Sequence, residues 1–184
     1  MRVRQTALAD VLVIEPDLHR DARGFFLETY HAQKYRDAGI GLSFVQDNHS
    51  GSAARTLRGL HAQVAPHAQG KLVRALRGEI FDVAVDIRRA SPTFRRWAGV
   101  RLSGENFRQL WVPPGFLHGF CVLSEYAEIA YKCTAAWDPG CEIAVRWDDP
   151  DLAIEWPLAG PILSDRDAAA ARLVDVLDRL PSAR

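Results

Sequence analysis

The run Lys71-Leu72-Val73-Arg74-Ala75-Leu76-Arg77-Gly78-Glu79-Ile80-Phe81-Asp82-Val83-Ala84-Val85-Asp86-Ile87 decides the fold. Its second half alternates. Phe81, Val83, Val85 and Ile87 face one way, while Asp82, Ala84 and Asp86 face the other. Successive side chains of a strand point to opposite faces, so this period of two, rich in β-branched residues, predicts a half-buried strand over 80–87. A second strand over 71–77 precedes it, and Gly78-Glu79 predicts a hairpin turn between them. Working outward, strands are expected over 11–15, 24–29, 109–112, 119–123, 128–133 and 143–147. Many short strands at regular spacing make a sandwich or a barrel. Helices are few. Residues 32–38 suit a short one stopped by Gly39. Near the C-terminus, Ser164 or Asp165 can cap a helix on which Leu173, Val176, Leu177 and Leu180 share a face, with Pro181 ending it. This helix is expected on the outside of the barrel.

The length, 184 residues, suits a single domain over 1–184 with a sizeable core. Apolar residues at 48% and charged residues at 25% mark an ordinary globular chain rather than a disordered one. A net charge of zero argues against bulk binding to nucleic acid or to an anionic membrane, and leaves room for a locally basic pocket. No apolar run is long enough to span a bilayer, and the first residues lack a signal-peptide core. Cys121, Cys133 and Cys141 form no CxxC pair. An odd count without a secretion signal reads as reduced thiols, acting as small hydrophobes in a cytoplasmic protein.

Three segments concentrate polar residues: Arg58-Gly59-Leu60-His61-Ala62-Gln63 with Gln69-Gly70-Lys71, Pro113-Pro114-Gly115-Phe116-Leu117-His118-Gly119-Phe120, and Tyr131-Lys132-Cys133-Thr134 with Trp137 and Glu142. His61 and Gln63 share a strand face, as do Lys71 and Val73. Inward-pointing residues of several strands can converge in a barrel mouth. Taken singly, His118 reads as a histidine satisfying a turn and His61 as a hydrogen-bonded core residue; with an arginine and a lysine beside them, they read as a site. Pro113-x-Gly115-x-x-His118 is similar to half of the cupin signature. The other half, an H-x-H pair with a downstream acid, is replaced by His61-x-Gln63 with Lys71 nearby. A lysine beside two histidines disfavours a cation, so no metal is expected.

Asp21-x-Arg23-Gly24-Phe25-Phe26-x-Glu28, Val45-Gln46-Asp47-Asn48-His49-Ser50 and Leu57-Arg58-Gly59-Leu60-His61-x-Gln63 resemble the dTDP-4-dehydrorhamnose 3,5-epimerase family. So do Gln69-Gly70-Lys71-Leu72-Val73, Asp82-Val83-Ala84-Val85-Asp86-Ile87-Arg88, the Pro-x-Gly-Phe-x-His-Gly-Phe run and Leu163-Ser164-Asp165-Arg166-Asp167. The match is collinear from the first strand to Asp167. It implies a mainly β protein, a cupin-type jelly-roll barrel with few helices. It also implies a homodimer acting on a nucleoside-diphosphate 4-keto-6-deoxysugar without a cofactor. In such chemistry the ketone acidifies the protons on carbons 3 and 5; a base removes one and an acid returns one to the opposite face.

By resemblance His61 is the base, Asp167 orients it, Lys71 stabilises the charge developing on the 4-oxygen, and Tyr131 is the acid. Arg23 and Arg58 suit the diphosphate, since guanidinium groups grip phosphate oxygens in a fork. Phe26, Glu28, Gln46, Asp47, Asn48, Gln63, His118, Glu142 and Arg166 match positions that line the nucleotide and sugar pocket. Arg23 and Glu28 are expected to act on the partner subunit's site. Trp137 stands where the family usually has a tyrosine stacked on the base, and an indole can stack as well. Ala136 and Ala62 each replace a tyrosine, and Arg166 a lysine. These departures bear on base choice and on whether both carbons invert. The alternatives are inversion of one carbon only, another nucleoside diphosphate, a non-catalytic sugar-binding cupin, and a metal-dependent cupin enzyme, which the missing ligand set disfavours.

Overall fold

A computed structural model describes residues 1–182. Two antiparallel sheets pack face to face. The first runs in the order β1 (Arg2–Gln5), β2 (Leu12–Glu15), β10 (Gln109–Val112), β7 (Lys71–Arg77), β12 (Tyr126–Cys133) and β5 (Gln46–Ala53). The second runs β13 (Glu142–Ala144), β6 (Leu57–Gln63), β11 (Phe116–Val122), β8 (Glu79–Asp86) and β9 (Trp97–Ser103). The pair β3 (Leu18–Asp21) and β4 (Gly24–Leu27) forms a separate ribbon. From β5 to β8, and again from β10 to β13, consecutive strands alternate between the sheets, the crossing pattern of a jelly roll.

That alternation corrects the expected hairpin at Gly78-Glu79. β7 pairs with β10 and β12, whereas β8 pairs with β9 and β11. Gly78, at φ +71°, instead carries the chain round a corner from one sheet to the other. Its carbonyl accepts from the Gly104 N–H at 3.0 Å, and the Glu79 N–H donates to Ser124 Oγ at 2.9 Å. The turn residues are thus satisfied by other loops rather than by each other.

The alternation along β8 is present, but the strand is covered on both faces. Ile80 and Ala84 point between the sheets and pack with Val73, Leu110 and Ile129. Val83, Val85 and the following Ile87 point outward into a second core with Leu60, Leu117, Leu173 and Leu180. The apolar stripe is therefore the outer face, and the interior face carries Asp82 and Asp86, both fully buried. Asp86 is satisfied by Arg88, Ser91 and Thr93. Its carboxyl is pushed up by burial and down by these donors, which win and hold it below the ordinary range.

The C-terminal segment does lie against the outer face, but not as one helix. Ser164 caps the four-residue α2 (Asp165–Ala168), and a 3₁₀ helix, Leu173–Arg179, follows. Between them the chain is pulled straight. Ala171 bridges to Val145, and the Leu173 N–H donates to buried Asp149 at 2.6 Å. These bonds outweigh the weak propensity of a short helix. At the other end of the chain α1 (Ala32–Asp37) forms as expected, with Gly39 at φ +90° beyond it. Its Tyr35 packs on the outer face of the first sheet with Ile14, Leu72 and Trp111. No helix among the described residues is long and apolar enough to cross a membrane.

The core between the sheets positions the site. Ala75 and Val73 of β7 face Ile129 and Ala127 of β12 within it. Continuing in steps of two, the same faces present Lys71 and Tyr131. Along these rows the residues pass from the apolar core to the polar side chains of the site.

Candidate active site

His61 projects inward from β6, opposite His118 of β11 in the strand register. Its Nε2 lies 2.6 Å from Oδ1 of Asp167, brought over by α2. Ser164 sets this approach, because its Oγ accepts the Asp167 N–H at 3.1 Å. The second carboxylate oxygen accepts the Gly59 N–H at 3.4 Å. Burial raises the Asp167 carboxyl, but the bonds from His61, Gly59 and Ser164 outweigh it and hold the group below the usual range. An ionised carboxylate only accepts, so Nε2 carries the hydrogen and Nδ1 keeps its lone pair for the cavity.

The glycines around the two histidines make this geometry possible. Gly59 sits at φ +117°, and a Cβ there would lie 2.6 Å from the Gly119 Cα. The register shifts at a bulge between His118 and Phe120, where β6 and β11 come this close. Only glycine fits both the conformation and the gap.

Lys71 and Tyr131 come from the opposite sheet. Burial lowers the Lys71 ammonium below its usual value; the nearby Cys133, Glu142 and Asp82 oppose this without cancelling it. Burial first, then Cys133, raises the Tyr131 phenol; Arg58 opposes them without cancelling them, and Glu142 adds a smaller push upward. The phenol is thus kept protonated and the ammonium made easier to neutralise.

Sequence reasoning missed Asp82. Its Oδ1 lies 2.7 Å from His118 Nε2, and its Oδ2 has no hydrogen-bond partner among the described residues. A buried aspartate on the interior face of a strand was the available signal, visible in the alternation along β8. It fixes the His118 ring as Asp167 fixes that of His61.

The cleft has two lobes that share His61, Lys71, Tyr131 and Glu142. One, of about 330 Å³, adds Gln46, Asn48, Gln63 and Trp137; the other, of about 320 Å³, adds Arg58, His118, Arg166 and Asp167. Ala62 borders the first lobe while packing in the outer-face core. Glu142 ties the lobes together, for its Oε2 accepts from Trp137 Nε1 at 3.2 Å and pairs with Arg166 at 2.7 Å. Among the described residues, no three His, Cys, Asp or Glu side chains converge as a metal would require.

Four expected residues lie elsewhere. Asp47 is the first: period two along β5 sends Gln46 and Asn48 inward and Asp47 outward, where it pairs with Lys132 at 2.9 Å. It lines a groove of about 360 Å³ with Leu72, Arg74 and Lys132, which Asn48 and Tyr131 also border. Arg23 and Phe26 stand on the β3–β4 ribbon, with Arg23 paired to Asp21 and Phe26 70% exposed. Glu28, just beyond it, pairs with Lys34 at 2.8 Å. Within one chain none of these three lines the cleft.

A jelly roll whose polar end gathers a carboxylate-held histidine, a half-buried tyrosine and a lysine in one cleft defines a class: a cupin-fold protein equipped with a base, an acid and a cation for proton transfer. The family model described as dTDP-4-dehydrorhamnose 3,5-epimerase matches residues 5–175. The dTDP-4-dehydrorhamnose 3,5-epimerase of Pseudomonas aeruginosa is 54% identical over 177 residues, which cover 95% of this chain and 97% of that protein. The crystal structure of dTDP-6-deoxy-D-glucose-3,5-epimerase from Legionella pneumophila, in complex with dTDP-4-keto-L-rhamnose, superposes with a TM-score of 0.94 at 50% identity, covering 100% of this chain and 98% of that one. A dTDP-4-dehydrorhamnose 3-epimerase of Streptomyces niveus is 39% identical, covering 97% of this chain and 86% of that protein. The chain belongs to the dTDP-4-dehydrorhamnose 3,5-epimerase family.

Proposed function

We propose that the protein converts dTDP-4-dehydro-6-deoxy-D-glucose to dTDP-4-dehydro-L-rhamnose by inverting carbons 3 and 5. One observation carries this reading: His61, held by Asp167, and Tyr131 line the same cleft from opposite sheets, with Lys71 beside them. His61 Nδ1 takes the proton from a carbon flanking the ketone, and the bonding pair moves to the 4-oxygen as an enolate. The imidazolium so formed is stabilised by Asp167, and the Lys71 ammonium stabilises the oxyanion. The Tyr131 hydroxyl then gives a proton to the opposite face of the carbon. Solvent restores both groups, and no electrons are exchanged with a cofactor.

Arg58 and Arg166 fit the diphosphate, and Trp137 offers a wall to the base. The exposed Phe26 with Arg23 and Glu28 fits a second copy of the chain, whose nucleotide end the ribbon would complete in a homodimer. Three buried free cysteines suit a reducing, cytoplasmic setting.

The test is incubation of the substrate with the protein in heavy water, followed by proton NMR. Deuterium at carbons 3 and 5 with inversion at both is expected. Label and inversion at carbon 3 alone would assign the 3-epimerase activity for which the Streptomyces niveus relative is named, and no exchange would leave a binding protein.

The proposed role of Lys71 sets the alkaline limit. Its ammonium must stay charged, and burial holds its pKa below the ordinary 10.5. As pH rises through that lowered value the charge is lost, so turnover is expected to fall with a midpoint below 10.5. Tyr131 is shifted the other way, burial raising its phenol above the ordinary 10.0. A pH–rate profile that stays flat to 10.5 would remove Lys71 from this role.

A further inference from the structure

Side-chain amides from elsewhere hold much of the loop from β12 to β13. Gln69 Nε2 donates to the Ala135 carbonyl at 2.7 Å, and Gln63 Nε2 to the Ala136 carbonyl at 3.1 Å. The Trp137 N–H donates to Gln46 Oε1 at 2.9 Å, and the Asp138 N–H to Gln63 Oε1 at 2.8 Å. Thr134 completes the series by exchanging bonds with Gly70, its N–H to the Gly70 carbonyl at 3.0 Å and its Oγ1 from the Gly70 N–H at 2.8 Å. Five successive residues are thus fixed, yet the large side chain they present, Trp137, is 59% exposed.

Gln63 and Gln69 are buried. A glutamine amide offers two donor hydrogens and an acceptor oxygen. Gln63 uses both hydrogens, on Ala136 and on the His67 carbonyl at 2.8 Å, and its oxygen is taken by Asp138. Little is left for a substrate. The expected assignment of Gln63 as a residue that contacts substrate therefore changes.

We infer that Gln63 and Gln69 are positioning residues for nucleotide recognition: they clamp the 134–138 backbone so that the Trp137 indole stands ready as the wall for the base. Ordering the loop in the free protein spares that entropy cost when the nucleotide binds. The clamp acts on affinity rather than on proton transfer, since neither amide hydrogen-bonds to His61, Lys71, Tyr131 or Asp167. The inference rests on the reading that the base stacks on Trp137, and its test separates the two.

The test is a double-substitution cycle read by calorimetry with dTDP and by steady-state kinetics. Gln69→Met keeps the side-chain length and removes the donor. It is expected to raise the dTDP dissociation constant and KM about three- to tenfold with kcat near the parent value. Gln63→Glu keeps an acceptor for Asp138 but cannot donate to Ala136; it is expected to act the same way, and it supplies the answer if Gln69→Met does not fold. Trp137→Ala is expected to weaken dTDP binding roughly 5- to 150-fold, and either glutamine substitution added to it should cost nothing more. If Trp137→Ala leaves dTDP binding unchanged, the base wall itself is wrong. If Trp137→Ala weakens binding but the glutamine effects remain undiminished in its presence, the clamp is overturned. A fall in kcat with an unchanged dissociation constant overturns it as well.

Discussion

His61→Ala is expected to lower turnover by about 10²–10⁴-fold, the range that positioned acid–base groups contribute. The same loss should appear in the exchange of substrate protons with solvent, because the step removed is the abstraction itself. The reason is structural. Asp167 is buried at the end of α2 and is bound by His61, Gly59 and Ser164 together. That commits Nε2 and leaves Nδ1 as the base. Alanine deletes the base and leaves a buried carboxylate with fewer donors, so its pKa should move back up and the variant should lose some stability near neutral pH. A thermal melt therefore accompanies the assay. If the variant is folded and exchange at carbon 3 or 5 continues at the parent rate, His61 is not the base and another group must serve.

Much of the fold was legible in the sequence because strand faces follow local rules. Lys71, Val73 and Ala75 on one strand, and Ala127, Ile129 and Tyr131 on another, share faces by period two alone. Which strand pairs with which was not legible. Gly78-Glu79 has the composition of a hairpin turn, yet the chain uses it to change sheets, since sheet partners are chosen by contacts distant in sequence. The same limit explains the outward Val83 and Val85. An apolar stripe signals burial, but not whether the cover is the other sheet or, as here, the C-terminal segment. That segment in turn reads as helical because Leu173, Val176, Leu177 and Leu180 are spaced for it, while the bridge at Ala171 and the bond to Asp149 are invisible in sequence.

The site followed a similar division. Residues 61, 71, 131 and 167 come from four separated segments, and their spacing gives no sign that they meet; the family resemblance brought them together, and the fold supplies the contact between His61 and Asp167. Asp47 shows the converse. It sits inside a run that matches the family, yet strand alternation places it outside, between two neighbours that point in. Gln63 likewise lines the cleft but spends its amide on a loop. Lining a cavity and contacting a substrate are different properties, and hydrogen-bond capacity tells them apart.

Tyr131→Phe is expected to separate exchange from inversion. The substitution keeps the ring, which packs against the apolar core, and removes only the hydroxyl. Burial keeps that hydroxyl protonated, which suits a donor. Without it, His61 can still abstract a proton and Lys71 can still stabilise the enolate. The imidazolium has no competitor on the far face, so it returns a proton to the face it came from. In heavy water the imidazolium exchanges the abstracted proton with solvent, and a deuteron then returns to the carbon. Label should therefore accumulate in substrate of unchanged configuration, while inversion slows by about 10²–10⁴-fold. His61→Ala should show neither label nor inversion, and this contrast assigns the two groups to opposite faces. Proton NMR of the sugar with both variants reads label and configuration together. If Tyr131→Phe inverts carbon 3 or 5 at the parent rate, the phenol is not the acid, and its place is only that of an aromatic at the edge of the core.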